Sequence, residues 1–109
     1  MPHCIIEHSD EFNPTPLIEA VLKAALASRL FQSKDIKLRA QGFRDYQIGF
    51  KRSAFIHVTL KILSGRNDEQ KLQLSRLVIE QLASLGYEQV TLTAEVIDID
   101  KNSYSKEVM

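Results

Sequence analysis

The sequence predicts an α/β (α+β) fold in which two β-α-β units form one four-stranded mixed sheet, with both helices on one face. Three observations predict it. Apolar residues alternate with polar ones at period two in several segments, they recur at helical spacing in two others, and the order strand, helix, strand occurs twice. Each half has about 50 residues, enough for a right-handed crossover between parallel strands. Residues 1–109 are therefore expected to form a single domain.

The first half is predicted to contain a strand, a helix and a second strand. The run at residues 3–8 is short and β-branched and ends in a polar, turn-rich segment. Thr15 is expected to cap the first helix, with Pro16 at its first position, where no backbone N–H is needed. Alternation over residues 36–42 predicts the second strand, and residues 43–52 are expected to form a loop or short hairpin.

The second half repeats this architecture without repeating the sequence. Residues 53–63 alternate most clearly and predict a strand. Asn67 is expected to cap the second helix, because Gln70 follows at the spacing of a capping box. We expect that helix over residues 68–85 and the last strand over residues 89–99.

Two helices cannot cover both faces of this sheet. The face without helices is therefore expected to pack against copies of the chain in a homo-oligomer. The alternative is a monomeric domain of ferredoxin-like topology whose open sheet is mildly apolar.

Composition excludes several classes of protein. Fourteen basic and fourteen acidic residues cancel, so no net charge favours nucleic acid or a membrane surface. Cys4 is the single cysteine, which excludes a disulfide framework, and it is expected to be a small buried residue. No evident tetrahedral set of metal ligands is formed by Cys4 with the three histidines, His3, His8 and His57, so neither a metal nor a cofactor is expected. His57 is expected to be structural or to form a hydrogen bond between subunits. Without a signal-peptide pattern or a long apolar segment, a cytoplasmic protein is expected.

Two segments resemble a known enzyme family. MPHCIIEHS at the start and AFIHVTLKILSGR further on together resemble the tautomerase superfamily and, within it, the 5-carboxymethyl-2-hydroxymuconate isomerases. The resemblance extends over most of the chain and is weakest over residues 43–51. It implies a tautomerase-like homotrimer with sites at or near subunit contacts. It also implies a cofactor-independent isomerase that shifts a proton and a double bond in an unsaturated 2-hydroxy or 2-oxo carboxylic acid.

Pro2 is the predicted general base. Because proline is small, the initiator methionine is normally removed, which leaves Pro2 with a free secondary amine. An α-amino group has a pKa of about 8 in water, and desolvation and nearby cations lower it toward neutrality, where a general base is most effective. Without the resemblance, Pro2 is more simply explained as a second residue that permits this processing.

Arg39 and Arg66 are the predicted catalytic and substrate-binding arginines. Arg39 is on the polar side of the second strand, and the resemblance implies that it binds the substrate's carboxylate or carbonyl oxygen. Arg66 precedes the second helix, and the resemblance implies that it holds an anionic end of the substrate. Guanidinium groups bind carboxylates through two donors at once, and a helix N-terminus beside Arg66 adds a favourable field. The alternative is that both are exposed surface residues.

Phe43 is predicted to bind substrate as part of an apolar wall with Tyr46 and Phe50.

Basic residues are concentrated in residues 34–52. This segment contains six basic and two acidic residues, which gives it a local net charge of +4. This charge fits a small carboxylate substrate, and equally a solvent-exposed surface.

Two alternative functions stay open at this point. One is a non-catalytic binding or regulatory domain of ferredoxin-like topology, and the other is a superfamily member that acts on another acid, by phenylpyruvate tautomerisation or hydrolytic dehalogenation.

Overall fold

Four strands and two long helices are present in the computed structural model, which describes residues 1–109. In chain order the elements are β1 His3–Ser9, α1 Pro14–Ala27, a 3₁₀ turn Ser33–Asp35, β2 Lys37–Phe43, β3 Ala54–Leu63, α2 Asp68–Ala83 and β4 Val90–Ile99. The strands lie in the order β2-β1-β3-β4. Strand β1 pairs parallel with β2, β3 pairs parallel with β4, and β1 and β3 are antiparallel. The two predicted β-α-β units and the mixed sheet are confirmed.

Both helices pack on the same face of the sheet, as the sequence predicts. The core consists of alternate strand residues and the apolar stripes of the helices, because side chains alternate between faces in a strand and repeat every three to four residues in a helix. Its fully buried members include Cys4, Ile6, Ile56, Val58, Leu60, Leu17, Val21, Leu74 and Val78. Neither helix is long and apolar enough to cross a membrane.

The first helix begins two residues earlier than predicted. Asn13 is its N-cap, and the Asn13 Oδ1 accepts a hydrogen bond from the Thr15 backbone N–H at 3.1 Å. Pro14 takes the first helical position and Pro16 falls within the first turn, where a missing N–H has no helical partner to lose. The prediction that Thr15 caps this helix was wrong. Asparagine is the stronger N-cap residue of the two, and its cap is satisfied here.

The second helix begins as predicted. The Gln70 backbone N–H donates to the Asn67 Oδ1 at 2.8 Å, and the Asn67 backbone N–H donates to the Gln70 Oε1 at 3.0 Å, which completes the capping box. The helix ends at Ala83, two residues before the predicted end. Gly86 then takes a φ of 79°, a left-handed conformation that suits glycine and lets the chain turn toward β4.

The other face of the sheet carries no helix, as expected. The strand registers place on it mainly polar and charged side chains, with Ile5 and Ile97 among them; the polar ones include His3, Glu7, Arg39, Gln41, His57, Thr59, Lys61, Thr93 and Glu95. We call this surface the open face. On it, His57 Nδ1 lies 2.6 Å from Thr93 Oγ1 and His57 Nε2 lies 2.6 Å from Glu95 Oε2. His57 therefore links two strands within the chain.

The last ten residues leave β4 and cross the end of the sheet at which β1 begins. We call residues 100–109 the C-terminal tail. Two side-chain contacts hold the tail there: Tyr104 Oη lies 3.0 Å from His3 Nε2, and Lys106 Nζ lies 3.3 Å from Asp35 Oδ1. The tail thus passes beside the N-terminus, where the predicted base is located.

Candidate active site

Pro2 lies immediately before β1, at the end of the sheet where β1 and β2 begin and β3 finishes. We call this the proline end. The side chain of Pro2 is fully buried, and its carbonyl oxygen accepts a hydrogen bond from the Lys37 backbone N–H at 3.0 Å. Because β3 runs antiparallel to β1, the turn that follows β3 also reaches the proline end. The strand pairing therefore gathers three chain segments around Pro2.

Charged side chains surround the α-amino group of Met1 at the proline end. The pKa of this amine is lowered from its ordinary value, chiefly because burial removes water from the charged form. The positive charges of Lys37, Lys106 and Arg66 lower this pKa further, whereas the carboxylate of Asp35 raises it. These surroundings favour an uncharged amine at this position.

Arg66 is fixed at the proline end by the segment that follows α1. Its Nη2 donates a hydrogen bond to the Leu30 backbone carbonyl at 3.0 Å, and its guanidinium carbon lies 6.0 Å from the centre of the Phe31 ring. The side chain is half-buried. A guanidinium group has five N–H donors, so this hydrogen bond leaves others for an anion. The structure thus brings Arg66 to the same end of the sheet as Pro2.

Arg39 lies on the open face of β2 and is exposed. Its Nη1 lies 3.2 Å from His3 Nδ1. The pKa of His3 is lowered, first by burial and then by the positive charge of Arg39. Because side chains alternate along β1, Pro2 lies on the helix side of the sheet while His3 and Arg39 lie on the open face. Arg39 therefore lies on the opposite face of the sheet from Pro2.

Cys4 is fully buried in the core, as predicted. Burial raises the pKa of its thiol to about 11, so the thiol stays protonated near neutral pH and is a poor nucleophile. No three side chains of His, Cys, Asp or Glu come together in an arrangement that holds a metal ion.

The loop at residues 44–53 joins β2 to β3 and contains a single β-bridge. At its base the Tyr46 ring packs 5.6 Å from the Phe55 ring, and the Arg52 guanidinium lies 4.3 Å above the centre of the Tyr46 ring. Phe50 is fully exposed at the tip. Two of the three predicted aromatic wall residues therefore belong to this loop.

Phe43 does not lie beside Pro2 within one chain. It is the last residue of β2 and pairs with Ser9, at the end of β1 opposite the proline end, and its ring centre lies 6.3 Å from that of Phe55. At ~3.3 Å per residue, the length of β1 places Phe43 about 20 Å from Pro2. The predicted apolar wall and the predicted base thus occupy opposite ends of the sheet.

Three residues at the proline end, Lys37, Tyr104 and Lys106, are not among the site residues that the sequence predicts. A signal for Lys37 was present, because it alternates with Arg39 on the same strand and begins that strand. The tail residues gave no such signal, since the C-terminal tail has no regular structure and its position depends on where β4 lies in the sheet.

A model of the 5-carboxymethyl-2-hydroxymuconate isomerase family matches residues 2–108. The chain belongs to this family. Family membership over nearly the whole chain makes the protein an isomerase of the tautomerase type, and it decides against the non-catalytic ferredoxin-like domain. A search of curated protein sequences gave no significant match.

Solved structures of 5-carboxymethyl-2-hydroxymuconate isomerases have the same fold as this family member. The isomerase from Deinococcus radiodurans R1 is 23% identical, with a TM-score of 0.80 over 97% of this chain and 88% of its own. A 5-carboxymethyl-2-hydroxymuconate delta-isomerase is 16% identical, with a TM-score of 0.78 over 100% of this chain and 89% of its own. A fused 4-OT symmetric trimer is 20% identical, with a TM-score of 0.81 over 95% and 90% of the two chains. These structures establish the tautomerase-like fold.

Proposed function

We propose that the chain, once Met1 is removed, uses the secondary amine of Pro2 to shift a proton and a double bond in an unsaturated 2-hydroxy or 2-oxo dicarboxylic acid. The observation that carries the proposal is the position of Pro2, whose fully buried ring lies at the proline end, one residue from an amine that Lys37, Lys106 and Arg66 surround. A free amine at Pro2 lies one residue further into the same desolvated, cation-rich surroundings. While Met1 is attached, the Pro2 nitrogen is an amide and has no basic lone pair.

The chemistry needs only a base that gives its proton back. From a 2-oxo acid the neutral Pro2 amine removes a proton from carbon, and the electron pair moves through the conjugated system to the carbonyl oxygen. From a 2-hydroxy acid such as 2-hydroxymuconate it removes the hydroxyl proton, the oxygen becomes a carbonyl, and the electron pair moves to a carbon of the conjugated system. The prolinium then returns the proton to a carbon of that system, so the substrate and product are isomers. Arg66 and Lys37 lie near this amine and supply positive charge for a carboxylate and for the enolate oxygen.

We assign Arg39 to the second carboxylate of the substrate, approached from the open face. Phe43 serves as an apolar wall only for a site on another copy of the chain, because about 20 Å of strand separates it from its own Pro2. Both assignments favour a site near a contact between subunits.

We propose a homotrimer on the same grounds. Similar structures include symmetric trimers of fused 4-OT, and the open face of this chain has no cover of its own. We expect sedimentation equilibrium to give a mass three times that of the 12.4 kDa chain. A monomer across the micromolar range would contradict the trimer without bearing on the fold.

The proposed chemistry is tested on untagged protein whose intact mass shows the loss of Met1. This protein is expected to isomerise 2-hydroxymuconate, with a kcat/KM that rises with pH as the Pro2 amine loses its proton, because the neutral amine is the base. The burial and positive charges that lower the pKa of the Met1 amine are expected to lower that of the Pro2 amine as well. The same protein with an N-terminal tag left in place is the control and is expected to be inactive.

The outcomes of this assay separate the alternatives. Activity on phenylpyruvate but not on 2-hydroxymuconate would indicate a superfamily member that acts on another acid. A processed protein that is inactive on both compounds would contradict the proposed function.

A further inference from the structure

Three side chains from three different elements form one hydrogen-bonded row across the proline end. Arg39 of β2 contacts His3 of β1 at 3.2 Å, and His3 contacts Tyr104 of the C-terminal tail at 3.0 Å. The His3 and Tyr104 rings also meet edge to face, with centres 6.1 Å apart and planes at 74°. The strand register makes His3 and Arg39 diagonal neighbours on one face, and the C-terminal tail adds Tyr104 to them.

The chemistry of arginine fixes the direction of this row. A guanidinium group only donates, so Arg39 Nη1–H donates to His3 Nδ1, which must be unprotonated. Neutral imidazole carries its one hydrogen on the other nitrogen, so His3 Nε2–H donates to Tyr104 Oη.

Every charged group near His3 favours the neutral ring. Burial lowers the pKa of His3 most, and the positive side chains of Arg39 and Lys37 on β2 and of Lys61 on β3 lower it further. A protonated ring would also direct an N–H at the guanidinium and break the contact with Arg39.

We propose that Tyr104 and His3 are positioning residues that hold the Arg39 guanidinium for substrate. Tyr104 accepts from His3 and so keeps the tautomer in which Nδ1 accepts from Arg39. Arg39 is otherwise an exposed side chain on a long flexible stem, and ordering it before substrate arrives reduces the entropy lost on binding. This inference rests on the proposed role of Arg39 in binding a carboxylate. It also gives the C-terminal tail a part in the site.

The test is the substitution Tyr104→Phe, which removes the hydroxyl oxygen and keeps the ring. We expect the KM for 2-hydroxymuconate to rise about 5-fold, with kcat changed less than about 2-fold, because one hydrogen bond that orders a binding group is lost. In an Arg39→Met background the same substitution should leave KM unchanged, since the group it positions is absent. Tyr87→Phe is the matched control, because the Tyr87 hydroxyl lies outside this row, and it should leave both constants unchanged.

A second measurement does not depend on activity. The ¹⁵N shifts of the His3 ring in the wild-type protein at pH 7.5 should show the Nε2–H tautomer, and Tyr104→Phe should weaken that preference. A KM effect of equal size with and without Arg39, or no KM effect, would overturn the positioning role. A predominant Nδ1–H tautomer would overturn it as well. If the processed protein proves inactive, the proposed function fails while the ring shifts still decide whether the row exists.

Discussion

Replacing Pro2 by alanine is expected to lower kcat/KM for the isomerisation by at least about 100-fold, within the range that positioned acid-base groups contribute. Met1 is still removed before alanine, so the variant carries a primary amine at the same place in the chain. That amine can rotate freely, whereas the pyrrolidine ring holds its nitrogen in one orientation beside the cations of the proline end. The measurement is a comparison of kcat/KM on samples whose intact masses show the loss of Met1.

The fold should not change in this variant. The contact that Pro2 makes with β2 uses its backbone carbonyl, which alanine keeps, so the hydrogen bond from the Lys37 N–H remains. Circular dichroism and the oligomer mass should match the wild type. Pro16→Ala is the matched control, because Pro16 lies in the first turn of α1 away from the site. A Pro2→Ala protein with activity within a few-fold of wild type would remove Pro2 from the mechanism.

The sequence predicts the fold well because each element carries its own local signal. The alternation in β3 and the reciprocal Asn67 and Gln70 cap are local patterns, and both appear in the structure as predicted. At the start of α1 the segment Asn-Pro-Thr-Pro offers two caps, each followed by a proline. The spacing to the following proline is the same for both, and Asn13, the stronger N-cap residue, caps the helix.

The site is less predictable, because it depends on which strands are neighbours. Arg66 reaches the proline end only because β3 lies antiparallel to β1, a pairing that hydrophobic periodicity does not specify. The same parallel register that brings Lys37 to Pro2 carries Phe43 to the far end of the sheet. The placement of the C-terminal tail depends on where β4 lies in the sheet. No local sequence pattern therefore indicates that Tyr104 contacts His3.

Substituting Arg66 by lysine, which keeps the positive charge, is expected to lower kcat/KM for 2-hydroxymuconate by about 100-fold, near the loss seen when one oxyanion donor is removed. The reason is geometric. Arg66 holds the Leu30 carbonyl with one N–H and has others for the substrate, whereas a lysine ammonium is a single point charge on a flexible stem. A lysine that stays with the Leu30 carbonyl is drawn away from the substrate, and one that turns to the substrate leaves that carbonyl without its partner. Steady-state kinetics on a dicarboxylate measure the loss.

Arg76→Lys is the control for this substitution, since Arg76 is exposed on α2, away from the proline end, and should behave as wild type. A normal kcat/KM in Arg66→Lys would mean that positive charge alone is needed at this position. Lys37 and Lys106 already provide such charge near the amine. The site would then stabilise its anionic substrate by its combined positive charge and not by directed hydrogen bonds. A loss of the expected size would instead assign substrate recognition to the planar group that Leu30 and Phe31 hold in place. The role of Arg66 would then depend on the segment that follows α1 as much as on the turn that carries it.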